Sequence, residues 1–417
     1  MRVEVTLDKP ITIERFSKEL RELIAEISSS LKEFFEDSID GVLGDEQKSI
    51  VTKLFNEWCS RNDVTPLESL YDALMKGFKD IINSQEGDAR KAKVDRLIKN
   101  IAEGVKTSEE NVRSVVTGCV AEAISISGGD ELEEVNGLRR IAWKCAKELL
   151  KDYVSLFLNQ TAHVIVARLL VYRVMEDKGY TSSKLIDVKS DPQFDPLRAL
   201  SDIRRRYETL LPNIYSLSEF DWWYIPDIKR GLLNDQQSKV LRRHEDSLKC
   251  VLSRAINILI DYDLSKVNFD IWQRIYQYYL PEEERQRLGG FYTPYELVSL
   301  IIDLSGYRPD APGLCKMKVL DPACGSGAFV VEATRRLIEH LKTKHECHTI
   351  PKTSWEKAKF ILDAVKENIY AIDIHPFASF LTSLNLTMLL LDHYFEVAHQ
   401  NPDYKLELNV ITADSLA

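Results

Sequence analysis

The sequence is poor in the features that mark several protein classes. Its 417 residues include seven cysteines, at 59, 119, 145, 250, 315, 324 and 347, and no two form a Cys-x-x-Cys pair. That argues against a zinc ribbon or a disulfide framework and fits a reducing, cytoplasmic setting. The opening MRVEVTLDKP lacks the basic and then apolar runs of a secretory signal. The longest apolar stretch, Phe377 to Leu391, is interrupted by Ser, Thr and Asn and is short for a bilayer, so no membrane partner is expected. There is no internal repeat and no low-complexity tract. Basic charge is not in excess either: 55 Lys and Arg stand against 65 Asp and Glu, a net charge of −10. A chain coated in basic surface for nucleic acid is excluded, although a local patch is not.

What charge there is lies unevenly. Residues 1–150 carry most of the negative excess, while 151–300 are neutral overall. The basic clusters, Arg204-Arg205-Arg206 and Lys229 to Arg254, lie in this middle third. They are the better candidates for nucleic-acid contact, set against the plainer reading of solvated helix faces.

From about residue 12 to 280 apolar residues recur at i, i+3, i+4 and i+7. The pattern predicts helices at Phe16–Leu31, Ile50–Cys59, Leu67–Ile82, Val94–Val105 and Leu138–Val174. A weak alternation in residues 1–10 suggests a short strand. Breaks fall at 41–44, at 127–130 and, longest, at 179–192. After about 285 the grammar changes. Strands are expected at Met317–Asp321, Ile369–Asp373 and Lys405–Asp414, with helices at Ala328–Leu341, Trp355–Glu367 and Pro376–His393. This alternation predicts a parallel sheet with right-handed crossovers. The fold class is therefore α plus α/β. The expected divisions are a helical domain over 1–180, a helical connector over 181–285 and an α/β domain over 286–417.

The most informative segment is VLDPACGSGAF, residues 319–329. A strand ends in an acid, Asp321, a glycine-rich turn follows, and a helix opens. Glycine accepts backbone angles other residues avoid and lets a ligand approach without meeting a Cβ. The helix start offers unpaired N–H groups and a positive dipole end. NIYAIDIHPFA (368–378) ends a second strand in Asp373, where nucleotide-binding sheets grip ribose hydroxyls. Its distance from the glycine turn exceeds the ~20 residues usual in dinucleotide enzymes, and the helix at 355–367 accounts for the excess. NVITADSLA (409–417) places Asp414 after a third strand. Each acid alone could be a helix cap or a solvated turn; three in register at successive strand ends point to one crevice.

These residues carry a resemblance. DPACGSGAF resembles the S-adenosylmethionine motif of adenine-N6 and cytosine-N4 DNA methyltransferases, and GGFYTP (289–294) is similar to the segment that precedes it in their gamma-ordered branch. Residues 162–180, 220–227 and 267–294 resemble the helical lead-in of type IIG and type I restriction-modification methylases, so the likeness spans roughly 160–417. It implies an incomplete Rossmann-type methyltransferase sheet and S-adenosylmethionine as cofactor. It further implies that Thr293, Pro294, Asp321, Ala323 and Gly325 surround the methionine end, and that Gly327 also belongs to the cofactor site. Asp373 would hold the ribose, Ile374 would pack on adenine, and Asp414 would accept from the adenine amino group. In the complete enzyme the substrate is DNA, with a specificity subunit or a C-terminal half as a possible partner.

One departure is important. The family's (Asn/Asp)-Pro-Pro-(Tyr/Phe) motif, which engages the flipped base, does not occur in these 417 residues. Asn401-Pro402-Asp403-Tyr404 has Asp in place of the second Pro and reads as a turn. No catalytic residue is therefore assigned. The expectation is the N-terminal part of an adenine-N6 methyltransferase, inactive alone, and the alternative is a non-catalytic helical module or split-enzyme half that assembles with a partner chain.

Other clusters read more plainly. Glu46-Gln47-Lys48, with Asp37 and Asp40 upstream, has the residue types of a Mg²⁺ nuclease, but on helix and turn rather than on strands. His345-Glu346-Cys347-His348 is crowded and lacks a second ligand pair, so no metal site is expected. Trp222-Trp223-Tyr224 suits domain docking better than base stacking. Cys324 is read as a small packing residue and His375 as shaping a turn.

Overall fold

The computed structural model describes residues 2–6, 9–84, 87–127, 131–181, 185, 194–216, 218–223, 233–279, 293–343 and 353–416. The chain forms two compact units. The smaller is Phe35–Leu158; the larger combines Met1–Phe34 with Asn159–Ala417. Their boundaries fall inside two long helices, α1 (Pro10–Ile39) and α7 (Lys151–Asp177). The sequence hides this because the two ends of the larger unit meet through a short pairing. Strand β1 (Val3–Glu4) lies parallel to β2 (Tyr262–Asp263). Beside it Arg2 donates to the Ile260 carbonyl at 3.0 Å and pairs with Asp177.

The smaller unit holds the end of α1, then α2 (Asp45–Arg61), α3 (Leu67–Ile82), α4 (Asp88–Val105), α5 (Glu109–Ser125), α6 (Glu131–Leu149) and the start of α7. The predicted helix at 138–174 is thus two helices broken at Leu150, where no Gly or Pro gives a signal. Its core is aromatic: Phe55 lies 5.3 Å from Phe35 and 5.9 Å from Trp58, and Phe157 lies 5.4 Å from both Phe55 and Trp58. Glu46-Gln47-Lys48 lies in the first turns of α2, and Asp40 is held by Trp143 Nε1 at 2.9 Å and Lys147 at 2.7 Å. No strand brings these residues together.

In the larger unit, residues 159–175 of α7 are almost wholly buried. Among the described residues α7 is the one helix long and apolar enough to cross a membrane, and most of that window is covered by protein, as in a central core helix. Its buried charges are paired: Arg173 reaches Glu176 and Asp177, each at 2.8 Å, and Asp177 also accepts the Leu264 N–H at 2.8 Å. Trp222 and Trp223 are buried in this unit, Trp222 donating to Thr161 Oγ1 at 3.2 Å and stacking on Phe34 at 5.7 Å. Burial removes them from base stacking; Tyr224 lies outside the described residues. The basic cluster at 204–206 rides on α8 (Pro196–Tyr207), which leads to the short α9 (Pro212–Tyr215). Farther on, in α10 (Asp235–Asp261), Lys249 pairs with Asp195 and Arg254 with Glu26, so part of the middle-third charge is neutralised locally.

After α11 (Phe269–Tyr279) and α12 (Tyr295–Leu304) comes the α/β portion: β3 (Val319–Asp321), α13 (Ala328–Thr343), α14 (Ser354–Asn368), β4 (Ile369–Asp373), α15 (Pro376–Ala398) and β5 (Asn409–Thr412). The strands form a parallel three-stranded sheet in the order β3-β4-β5. α14 starts in a capping box in which Thr353 Oγ1 accepts the Glu356 N–H and Glu356 accepts the Thr353 N–H, and Pro376 starts α15 at a position where its missing N–H costs nothing. β5 is shorter than the expected 405–414. Leu406 N donates to the Leu210 carbonyl at 2.9 Å, and Leu408 exchanges two bonds with the Asn213 side chain, so the approach to β5 is fastened to the turn before α9 and to α9 itself rather than to the sheet. Ile369, Ala371 and Asp373 of β4 are buried on one face. On the other, Leu320 is 57% and Ile411 51% exposed.

Candidate functional site

The glycine turn is built from both sides. Cys324 N donates to the Ile372 carbonyl at 2.9 Å, Gly325 N to Asp373 Oδ2 at 2.8 Å, and Gly327 N to the Cys324 carbonyl at 2.8 Å. Gly325 and Gly327 have φ of 54° and 87°, in the left-handed region that glycine tolerates. A Cβ on Gly327 would stand 2.9 Å from Thr382 Oγ1 and 3.2 Å from its Cα, so the turn also approaches α15 too closely for a side chain. α13 starts at Ala328, directly after the turn.

The acids reach the same end of the sheet but at different heights. Asp321 pairs across to Ala371, and Asp373 pairs to Thr412. Asp321 therefore sits two residues short of Asp373, and Asp414 two residues beyond it, a stagger of about 6–7 Å per step. The expected alignment in register is corrected to a staircase. Asp373 is buried, one oxygen accepting from Gly325 N and the other from His375 N at 2.9 Å. Asp321 accepts the Ala323 N–H at 3.2 Å. Burial raises its carboxyl above the ordinary range; the Ala323 bond opposes this, and the Asp373 charge adds to it. Asp414 is exposed and accepts the Leu416 N–H at 2.9 Å, while the preceding Ala413 N donates to the Asp373 carbonyl at 2.9 Å. Ile374 is 42% exposed beside Asp373, an apolar surface at the open end of β4.

Thr293 and Pro294 lead into α12, for which Pro294 is the cap; the Gly289-Gly290-Phe291-Tyr292 portion of that motif lies outside the described residues. α12 is tied to α13 by a buried guanidinium. Arg336 donates to Asp303 at 2.7 Å, to the Tyr307 carbonyl at 3.0 Å and to Ser299 Oγ at 2.9 Å, and it pairs with Glu332 at 2.8 Å. The helix that starts at the glycine turn thus also fixes the helix that starts at Pro294.

Several residues of this site carry no motif of their own in the sequence. Thr382 donates to the Gly325 carbonyl at 2.8 Å, Asn385 to the Ser326 carbonyl at 3.0 Å, and Trp272 Nε1 to Asn385 Oδ1 at 2.9 Å. Their signal in the sequence is the interruption of the apolar Phe377–Leu391 run by hydroxyl and amide residues three apart. Cys324 is buried with its sulfur 3.4 Å from Thr382 Oγ1, and burial pushes its thiol up to about 12. It is a packing group rather than a nucleophile at neutral pH. His375 precedes α15 and contributes its backbone N–H to Asp373. Asn401 to Tyr404 forms a turn closed by Tyr404 N on the Asn401 carbonyl at 3.0 Å. His345 to His348 lie outside the described residues, among which no three His, Cys, Asp or Glu side chains gather as a metal site. Among the described residues the free thiols are Cys59, Cys119, Cys145, Cys250 and Cys324, and Cys315 is disulfide-bonded.

Residues 267–404 match the family of N-6 DNA methylases. Over 295 residues the chain is 26% identical to the type I restriction enzyme MjaIX methylase subunit of Methanocaldococcus jannaschii, covering 63% of this chain and 47% of that protein. Over 96 residues it is 32% identical to the MjaVII methylase subunit of the same organism, covering 22% of this chain and 15% of the relative. The matched stretches thus span less than half the length of these relatives. No solved structure matches. The family match and the relatives support a relationship between this chain and the N6-adenine DNA methylases of restriction-modification systems.

Proposed function

We propose that this chain carries the cofactor-binding part of an S-adenosylmethionine-dependent DNA adenine-N6 methyltransferase of a restriction-modification system. The observation that carries the reading is the convergence of the glycine turn, Asp321, Asp373 and Ile374 at one end of a parallel sheet, within the stretch similar to N-6 DNA methylases. The three-stranded sheet is then part of a Rossmann-type domain.

The residues suit such a ligand. Asp321, a carboxylate disfavoured by its surroundings, is improved by an ammonium or sulfonium placed beside it. Asp373 has spent one acceptor direction of each oxygen on a backbone N–H and keeps others for ribose hydroxyls. Ile374 offers an apolar contact for a ring, and Asp414 an acceptor for an exocyclic amine. Thr293, Pro294, Ala323, Gly325 and Gly327 would complete the enclosure of the methionine end. When bound, S-adenosylmethionine supplies the methyl group; the chain's own contribution is binding and orientation. These 417 residues contain no (Asn/Asp)-Pro-Pro-(Tyr/Phe) segment, so by themselves they are expected to bind cofactor weakly and not to methylate. DNA and a partner polypeptide belong to the complete enzyme, which we place in the cytoplasm. Methyl transfer to an adenine-containing duplex by the purified chain would overturn the second half of this proposal.

The uncovered sheet face at Leu320 and Ile411 favours one alternative, a split-enzyme half whose sheet is completed by another polypeptide, since parallel sheets are ordinarily covered on both faces. A pull-down of candidate second halves that carry the missing motif would test it: a stable complex that methylates supports it.

A further inference from the structure

The bonds behind the glycine turn carry an inference that deepens the cofactor reading and rests on it. Thr382 and Asn385 lie three residues apart on α15 and so share one face. Each takes one carbonyl of the turn, Thr382 that of Gly325 and Asn385 that of Ser326. In a trans peptide the C=O of one residue and the N–H of the next point opposite ways. Holding the Gly325 carbonyl against α15 therefore directs the Ser326 N–H away from it. Holding the Ser326 carbonyl back likewise directs the Gly327 N–H outward, where it closes on the Cys324 carbonyl at 2.8 Å. The turn's shape is thus imposed from behind by two side chains.

Asn385 can do this in only one orientation. Its amide has an accepting and a donating end, and a flip would set oxygen against the Ser326 carbonyl. Trp272 decides the matter, because an indole N–H donates and cannot accept. It lies 2.9 Å from Asn385 Oδ1, which sends the NH₂ group to Ser326. Trp272 is fully buried and Asn385 is 8% exposed, so water does not compete for either bond. Trp272 belongs to α11, which precedes the Thr293-Pro294 segment, whereas Asn385 belongs to the helix after β4.

We propose that Trp272 and Asn385 are positioning residues of the cofactor site: Trp272 orients the Asn385 amide, and Asn385 holds the Ser326 carbonyl, and with it the shape of the glycine turn, from behind. The helical lead-in is thereby coupled to cofactor affinity through one hydrogen-bonded relay.

The test uses the full 417-residue chain and two readouts. Titration calorimetry with S-adenosylmethionine compares wild type, W272F and N385D, and hydrogen–deuterium exchange follows the peptide containing residues 325–327. W272F removes the N–H and keeps an aromatic ring; N385D keeps the acceptor for Trp272 and loses the donor to Ser326. The expected result is a loss of affinity of about tenfold for each, with faster exchange at 325–327 and unchanged protection in β4. Binding within twofold of wild type by both variants, with unchanged exchange in the turn, would overturn the positioning role. Should N385D not fold, W272F alone decides between these outcomes. If the wild type binds no cofactor, the cofactor reading fails, and turn exchange unaltered in W272F would then remove the relay as well.

Discussion

Asp321 sets stability against binding at the scale of a single residue. Its carboxyl is raised mainly by burial, so the folded protein holds that proton at a higher pH than the unfolded chain does. Stability from this group is therefore present in acid and falls as pH rises from the ordinary carboxylate range through the raised value. Asp321→Asn keeps an acceptor for Ala323 N and removes the charge. We predict a melting temperature higher by about 1–2 °C at neutral pH, together with weaker S-adenosylmethionine binding; thermal melts at pH 4 and pH 7 should show the gain only at the higher pH. Gly327→Ala forces a Cβ to within 3.2 Å of the Thr382 backbone at a positive φ, and the strain should cost about 1–3 kcal/mol, measurable by urea unfolding. Thiol labelling checks Cys324. With its thiol pushed up to about 12 and buried, it should stay unmodified in native protein at pH 8, while the exposed Cys250 reacts.

At the scale of elements, α7 shows what a central helix requires when it carries charge. Arg173 is fully buried between Glu176 and Asp177, and Asp177 also pairs with Arg2 and receives the Leu264 N–H. Arg173→Met leaves two buried acids short of a partner. It should destabilise the larger unit by about 3–5 kcal/mol, seen as a lower urea midpoint. Element type was legible where one period ruled. β4 falls at the predicted residues because Ile369, Ala371 and Asp373 alternate with half-exposed neighbours, and α15 begins at the predicted Pro376. It was illegible where tertiary bonds override local pattern. β5 starts late because Leu406 and Leu408 are claimed by Leu210 and Asn213, and the break at Leu150 has no local breaker. Pairing of β1 with β2 joins residues about 260 positions apart, which no periodicity reveals.

For the whole molecule, the net charge of −10 describes its surface poorly as a guide to partners, since basic side chains of the middle third are in part neutralised by acids near them. The site was legible as a set of residue types, Asp321, Gly325, Gly327 and Asp373, because a strand, an acid and a glycine turn are consecutive in sequence. Its height relations and its rear bracing were not, since they depend on strand register and on a helix some 60 residues away. The central claim is that this sheet end holds S-adenosylmethionine, and calorimetric titration of the 417-residue chain, wild type beside Asp373→Ala, tests it most directly. One weak site is expected in the wild type, with a loss of about tenfold or more in the variant. No binding by either protein, or equal binding by both, would contradict it.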